Sequence, residues 1–317
     1  MDFVIFILSI AALIFGADFI IQQSERIALR FNISEFVVGS TLIALGTSLP
    51  EMATSMAASF DHKADLAIAN AVGSNIINIT LVLGLVFTIS KPFISVRDFF
   101  AKDSLWALLP LFIFLLMSLD RNINRFDASL LFILMFAYLL FLFNNSKDEI
   151  IQSIDEELKE NFSWIKSTLL LLVGFIMVIV GANFAIDSAS NIATQFGVSQ
   201  WFIGVVVLAF GTSLPELIVS IAAARKGKVG MVIGNIIGSN LANTTMVIGG
   251  AAMVNTLTVN LGKYYFDMAL LTVASIMLVY ITANKLYSRP AGILLLILLA
   301  LFLHEKLYPI ATLHITS

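Results

Sequence analysis

The 317-residue sequence has no cysteine, only three histidines, six prolines and 12% charged residues. Without cysteine there is no disulfide framework, thiolate nucleophile, iron–sulfur cluster or thiolate zinc site. His62, His304 and His314 lie apart, in loops or the tail, and read as surface residues. They offer neither a transition-metal cluster nor a Ser–His pair within the membrane. Soluble domains carry about a quarter of their residues charged, so the scarcity of charge excludes that class. Disorder needs low hydrophobicity, and 59% of these residues are hydrophobic. The formal charge of −3 comes with no concentrated basic face, which excludes nucleic acid as a partner.

What the chain does have is apolar length, with a mean hydropathy of +0.96. A spanning helix needs about 20 mostly apolar residues. Ten such stretches are predicted, near 3–22, 36–60, 64–88, 105–119, 128–143, 167–187, 202–224, 231–254, 265–283 and 290–307. These are continuous runs of Leu, Ile, Val and Phe, unlike the short alternating segments of an outer-membrane barrel. The expectation is an all-α integral membrane protein set in a lipid bilayer.

Lys and Arg concentrate in cytoplasmic loops near span ends. Thirteen of the eighteen follow the odd-numbered spans, and five (Lys63, Arg121, Arg125, Lys263 and Lys306) follow the even ones or the last. The imbalance places both termini outside a cytoplasmic, inner membrane. Met1-Asp2 lacks the cationic region of a secretory signal, so the first span is expected to stay in place. Residues 144–166, rich in Asp and Glu, read as a cytoplasmic linker.

A shift of 165 residues aligns the halves without a gap. Gly39-Ser-Thr-Leu-Ile-Ala-Leu-Gly-Thr-Ser-Leu-Pro-Glu51 meets Gly204-Val-Val-Val-Leu-Ala-Phe-Gly-Thr-Ser-Leu-Pro-Glu216, and Gly73-Ser-Asn-Ile-Ile-Asn78 meets Gly238-Ser-Asn-Leu-Ala-Asn243. About 21 of the 47 pairs from Gly39 to Leu85 are identical, more than shared membrane composition explains, so the halves are a duplication. Five spans separate equivalent points, so the second half enters the membrane with reversed polarity. That is the inverted repeat used by secondary transporters. The predicted organisation is a first five-helix repeat at 1–143, the linker at 144–166 and a second five-helix repeat at 167–317.

Glu51 and Glu216 fall mid-span, where a carboxylate costs roughly 2.5–3.5 kcal/mol on insertion scales, a cost that marks function by default. Ala44, Thr47, Ser48, Glu51 and Ser55 share one helical stripe, repeated by Ala209, Thr212, Ser213, Glu216 and Ser220. Pro50 and Pro215 have no N–H to donate to the carbonyls of Gly46 and Gly211. Each proline either makes a simple kink or frees backbone oxygen to line a cavity. The next spans carry Asn70, Ser74, Asn75 and Asn78, matched by Asn235, Ser239, Asn240 and Asn243. Asn75 and Asn240 suit interhelical hydrogen bonding as well as they suit ligation, whereas Asn78 and Asn243 lean towards ligands. Two carboxylates with hydroxyl, amide and carbonyl oxygens make a hard site suited to Ca²⁺.

At these residues the sequence resembles the cation/Ca²⁺ exchanger superfamily, most closely its prokaryotic sodium/calcium exchanger branch. The paired GTSLPE and GSN-x-x-N motifs correspond to that family's two alpha-repeats. The resemblance implies an antiporter without cofactor. Ca²⁺ would be held by Glu51, Glu216 and the carbonyls of Thr47 and Thr212. Na⁺ would compete there and at Ala44, Ser48, Ser74, Ala209, Ser213 and Ser239, with Asn78 and Asn243 bordering the centre. It further implies three Na⁺ exchanged for one Ca²⁺, with the first and sixth spans sliding across the rest. Some prokaryotic members have Asp where Asn243 stands. A Ca²⁺/H⁺ antiporter is the alternative within transport, a Ca²⁺ channel the alternative outside it. An internally duplicated site needs no partner subunit, so a functional monomer is expected.

Overall fold

The computed structural model describes residues 1–90, 99–145, 163–198 and 210–313. The expected linker, apart from its ends, and the first part of the span expected at 202–224 lie outside the described residues. So do Lys91, Arg97, Lys147 and Lys159, four of the residues on which the expected orientation rests.

The chain runs through α1 (Asp2–Phe31), α2 (Glu35–Thr47), α3 (Leu49–Phe60), α4 (Ala64–Ile89), α5 (Phe99–Met117) and α6 (Arg125–Asn145). After the linker come α7 (Trp164–Gln195), α8 (Leu214–Arg225), α9 (Val229–Val254), α10 (Leu261–Ala283) and α11 (Arg289–Leu313). Two-residue strands β1 (Asn122–Ile123) and β2 (Leu257–Thr258) pair antiparallel.

Among the described residues seven helices are long and apolar enough to cross a membrane. They become eight if α2 and α3, bent by 43° at their junction, form one broken span. The protein is therefore a multi-pass, all-helical membrane protein, but fewer helices meet the full length than the ten expected. α5 spans Phe99–Met117, and among the described residues its apolar part, Leu105–Asp120, is shorter than a full span. For α8, only the second part of its expected span is described.

α9 is the least hydropathic of the seven spans and the most enclosed, with 89% of its window buried against 33% for α1. Lipid is as apolar as leucine, so polar groups in a membrane protein gain most by facing inward. The spans with the GSN motifs thus form the centre, and α1, α6, α7 and α11 form its outer wall.

α1 and α7 lie antiparallel along their whole length. Gln195 donates to Asp2 (2.9 Å), while at the opposite end the ring of Phe31 packs on Trp164 with centroids 5.1 Å apart. Between these ends Gly16 sits against Gly174, a close backbone approach of the kind small residues permit in membranes. The helices thus oppose each other although they occupy corresponding positions in the two halves.

The 165-residue offset also governs local geometry. α3 becomes α8 residue for residue, and α4 and α9 begin one offset apart. Even the left-handed turns correspond: Asn32 (φ 54°) with Gly197 (φ 79°), and His62 (φ 58°) with Gly227 (φ 72°). Charge breaks the correspondence. Lys226 pairs with Asp18 of α1 (2.6 Å), and Lys228 bridges Glu25 of α1 and Glu35 of α2. One offset away from the three acids stand Asn183, Ser190 and Gln200.

Candidate ion site

The helix break comes first. Ser48 leaves helical geometry (φ −85°, ψ 4°) and Ser213 does the same (φ −86°, ψ 3°), both in the sparsely allowed bridge region. Pro50 and Pro215 follow in the first turn of α3 and α8, where the missing N–H interrupts no bond of the new helix. The prolines therefore start second helices as well as releasing the carbonyl four residues back. Each break places a glutamate, Glu51 or Glu216, in the first turn of a helix, where the positive end of the dipole favours a carboxylate.

Both glutamates are fully buried, and each is completed by the other half. Glu51 has Thr212 as well as Ser74 beside it, and Glu216 has Thr47 and Ser48. Ser48 Oγ donates to Glu216 Oε1 (3.4 Å), and Ser74 Oγ shares a hydrogen bond with Thr212 Oγ1 (3.1 Å).

Asn70 and Asn235 were not among the expected ligands, yet they hold this crossing in place. Thr212 Oγ1 donates to Asn70 Oδ1 (3.3 Å) and Thr47 Oγ1 to Asn235 Oδ1 (3.5 Å). Asn70 is tied in turn to the Glu51 carbonyl and Ser55, and Asn235 to Ser220. Their matched positions in the repeat were the available signal.

Within the repeated motifs, seven buried oxygens have no hydrogen-bond partner among the described residues: both of Glu51, Oε2 of Glu216, Oδ1 of Asn78 and of Asn243, and Oγ of Ser213 and of Ser239; Gln23 Oε1, Ser24 Oγ and Asp267 Oδ1 are bare elsewhere. Buried polar atoms are nearly always bonded, and each exception costs roughly 1–3 kcal/mol. Oxygens left bare at such cost, with two negative charges among them, suit a hard cation with several oxygen ligands.

The Ala44 carbonyl accepts from Ser48 N (3.0 Å), and Thr47 Oγ1, 3.3 Å away, lies closer to the Ile43 carbonyl (3.1 Å), so one lone pair of Ala44 stays open to a ligand. Its counterpart Ala209 lies outside the described residues.

Packing explains how the central helices come this close. A Cβ on Gly238 would collide with the Ser40 carbonyl, so α9 rests directly on the backbone of α2. For Gly73, its counterpart, no described atom lies within 4 Å. Wide π-turns begin at Asn78 and at Asn243, a distortion frequent at functional sites and not expected from the sequence.

The chain matches the family model described as sodium/calcium exchanger protein over residues 1–144 and 166–305. An uncharacterised membrane protein of Methanocaldococcus jannaschii is 42% identical over 293 residues, covering 92% of this chain and 94% of its own. The sodium/calcium exchanger MaX1 of Methanosarcina acetivorans is 28% identical, over 97% of this chain and 99% of its own. Among solved structures, the sodium-calcium exchanger NCX_Mj soaked with zero Na⁺ and Ca²⁺ superposes with a TM-score of 0.83 at 35% identity. That match covers 96% of this chain and 98% of the other.

Proposed function

The chain belongs to the sodium/calcium exchanger family, and from that premise we propose that it exchanges three Na⁺ for one Ca²⁺ by alternating access. The observation that carries the reading is the set of seven bare oxygens around two fully buried glutamates. In this reading Glu51 and Glu216, with the carbonyls of Thr47 and Thr212, hold Ca²⁺ or Na⁺ at the centre. Ser48, Ser74, Ser213 and Ser239, with Ala44 and Ala209, complete flanking Na⁺ sites, and Asn78 and Asn243 border the centre.

Coupling needs no more than shared occupancy. Two carboxylates balance one Ca²⁺ or most of the charge of three Na⁺, and an unloaded doubly negative site is too costly to carry through lipid. One net charge then crosses per cycle, so a potential of 100 mV contributes about 2.3 kcal/mol.

The architecture proposed with it is ten spans in two inverted five-helix repeats, 1–143 and 167–317, joined by the cytoplasmic linker 144–166. The antiparallel lie of α1 and α7 supports that inversion. The Lys and Arg distribution supports placing both termini outside an inner membrane. A monomer is the functional unit, because both half-sites lie in one chain.

The test is ⁴⁵Ca²⁺ uptake by liposomes that hold the purified protein and internal Na⁺. Dilution into Na⁺-free buffer drives uptake that is absent with equal Na⁺ on both sides, and an inside-positive potential speeds it, because each Ca²⁺ entering sends one net positive charge out. Uptake driven by a pH gradient alone would replace the reading with Ca²⁺/H⁺ antiport. No uptake under either gradient would overturn it.

A further inference from the structure

The four asparagines of the two GSN-x-x-N motifs form a closed pattern. Asn75 Nδ2 donates to the backbone carbonyl of Asn240 (3.2 Å), and Asn240 Nδ2 donates to the backbone carbonyl of Asn75 (3.2 Å). A backbone carbonyl accepts and never donates, so each amide has its nitrogen against the other's backbone. That turns Asn75 Oδ1 and Asn240 Oδ1 outward as acceptors.

The outward oxygens receive the second pair. Asn243 Nδ2 donates to Asn75 Oδ1 (3.1 Å), and Asn78 Nδ2 donates to Asn240 Oδ1 (3.0 Å). With both nitrogens committed, the remaining atoms are the Oδ1 oxygens of Asn78 and Asn243, which stay buried and bare. An amide that could flip would offer a cation N–H groups as readily as oxygen. Here every orientation is traceable to a main-chain carbonyl, which cannot flip.

The linkage runs crosswise, since the ligand amide of each half is held by the other half. One departure from twofold symmetry reinforces a single side. Thr244 Oγ1 accepts from Asn75 Nδ2 (3.0 Å) and donates to the Asn240 carbonyl (2.9 Å), whereas its counterpart is Ile79.

We infer that Asn75 and Asn240 are positioning residues of the ion site. They touch no ion, and they fix the amides of Asn243 and Asn78, respectively, in the orientation that presents oxygen to the cation. The inference rests on the exchanger reading, and it assigns the second asparagine of each half a role distinct from ligation. Groups that orient metal ligands are worth roughly 10–100-fold in affinity when removed.

The experiment is a set of double-mutant cycles on Ca²⁺ affinity, read by calorimetry on the purified full chain in Na⁺-free detergent solution. Asn75→Ala, Asn78→Ala, Asn240→Ala and Asn243→Ala are each expected to weaken binding about tenfold. Asn75→Ala combined with Asn243→Ala should still lose only about tenfold, as should Asn240→Ala with Asn78→Ala, because each pair removes one linked unit. Asn75→Ala with Asn78→Ala, and Asn240→Ala with Asn243→Ala, should approach a hundredfold loss, because these act on separate ligands. A general packing role would not produce that crossed pattern. Equal, multiplicative losses in all four doubles would overturn the inference. A wild-type chain that binds no Ca²⁺ would overturn the exchanger reading itself, a separate result. If an alanine variant elutes as aggregate, Asn→Ser at the same position keeps a small polar group too short to hold the facing amide, and the cycle is repeated with it.

Discussion

Glu216→Gln keeps the shape of the side chain and leaves an Oε1 to which Ser48 can still donate, so its effect isolates one negative charge. Two unit charges 4 Å apart attract by about 4 kcal/mol at an effective dielectric of 20, and a divalent ion doubles this to about 8 kcal/mol. Several kcal/mol are recovered because the empty site no longer holds an ionised carboxylate away from water. The net loss expected for Ca²⁺ is about 3–5 kcal/mol, two to four decades in Kd. Na⁺ carries half the charge, so its attraction falls by only about 4 kcal/mol against the same recovery and little affinity is lost, and preference shifts towards the monovalent ion. Calorimetric titration with Ca²⁺ and with Na⁺ measures both, and the liposome assay should show Na⁺-driven Ca²⁺ uptake abolished. A Gln variant that binds Ca²⁺ within about threefold of wild type would refute the placement of Glu216 on the ion.

Other expectations follow from the packing and the charges. Gly238→Ala puts a methyl group into the Ser40 carbonyl, an overpacking that should cost about 1–3 kcal/mol and lower the Tm of the detergent-solubilised protein. Lys228→Met leaves Glu25 and Glu35 without their shared partner. It should also lower Tm, with a gap from wild type that narrows as salt is added. Burial works to lower the pKa of Lys228, but hydrogen bonding and attraction from Glu25 and Glu35 outweigh it and raise the pKa above its usual 10.5. Stabilisation from a raised lysine is complete below the unfolded value and fades only above it. The Lys228→Met difference should therefore stay constant from pH 6 to 9 on a thermal melt. The absence of native cysteine makes orientation simple to measure. Gln152→Cys in the linker should react with an impermeant maleimide only after the membrane is opened, and labelling of intact cells would reverse the orientation.

The site was legible in sequence because duplication wrote it twice. Glu51 with Glu216 and Asn78 with Asn243 stood out as polar residues in apolar runs at a constant offset, and the structure buries all four. The stripe from Ala44 to Ser55 was expected on one helix, whereas the chain breaks at Ser48 and bends by 43°, leaving Ala44 and Thr47 on α2 and Glu51 and Ser55 on α3. What was not readable depends on how the halves interlock. No pattern along the chain reveals that Thr212 lies beside Glu51, or that Asn75 and Asn240 exchange hydrogen bonds through their own backbone. Those two asparagines bond between helices, and the contacts cross the pseudo-symmetry. The π-turns at Asn78 and Asn243 escaped notice because no residue type marks them. The shortfall in full-length spans falls at α5, whose apolar part among the described residues is Leu105–Asp120, and at α8, part of whose expected span lies outside the described residues.

The crossed pairing of glutamates and hydroxyls changes how a lesion in this chain is traced. Thr212 is neighbour to Ser213 and Glu216 in sequence, but its hydroxyl bonds Ser74 and Asn70. Removing it should be felt first at Glu51, in the other half. A fault written in one copy of the motif is thus expressed in its twin. Sorting variants by the half in which they occur would scatter related defects and group unrelated ones, whereas sorting them by the carboxylate they surround would restore the two families of effect.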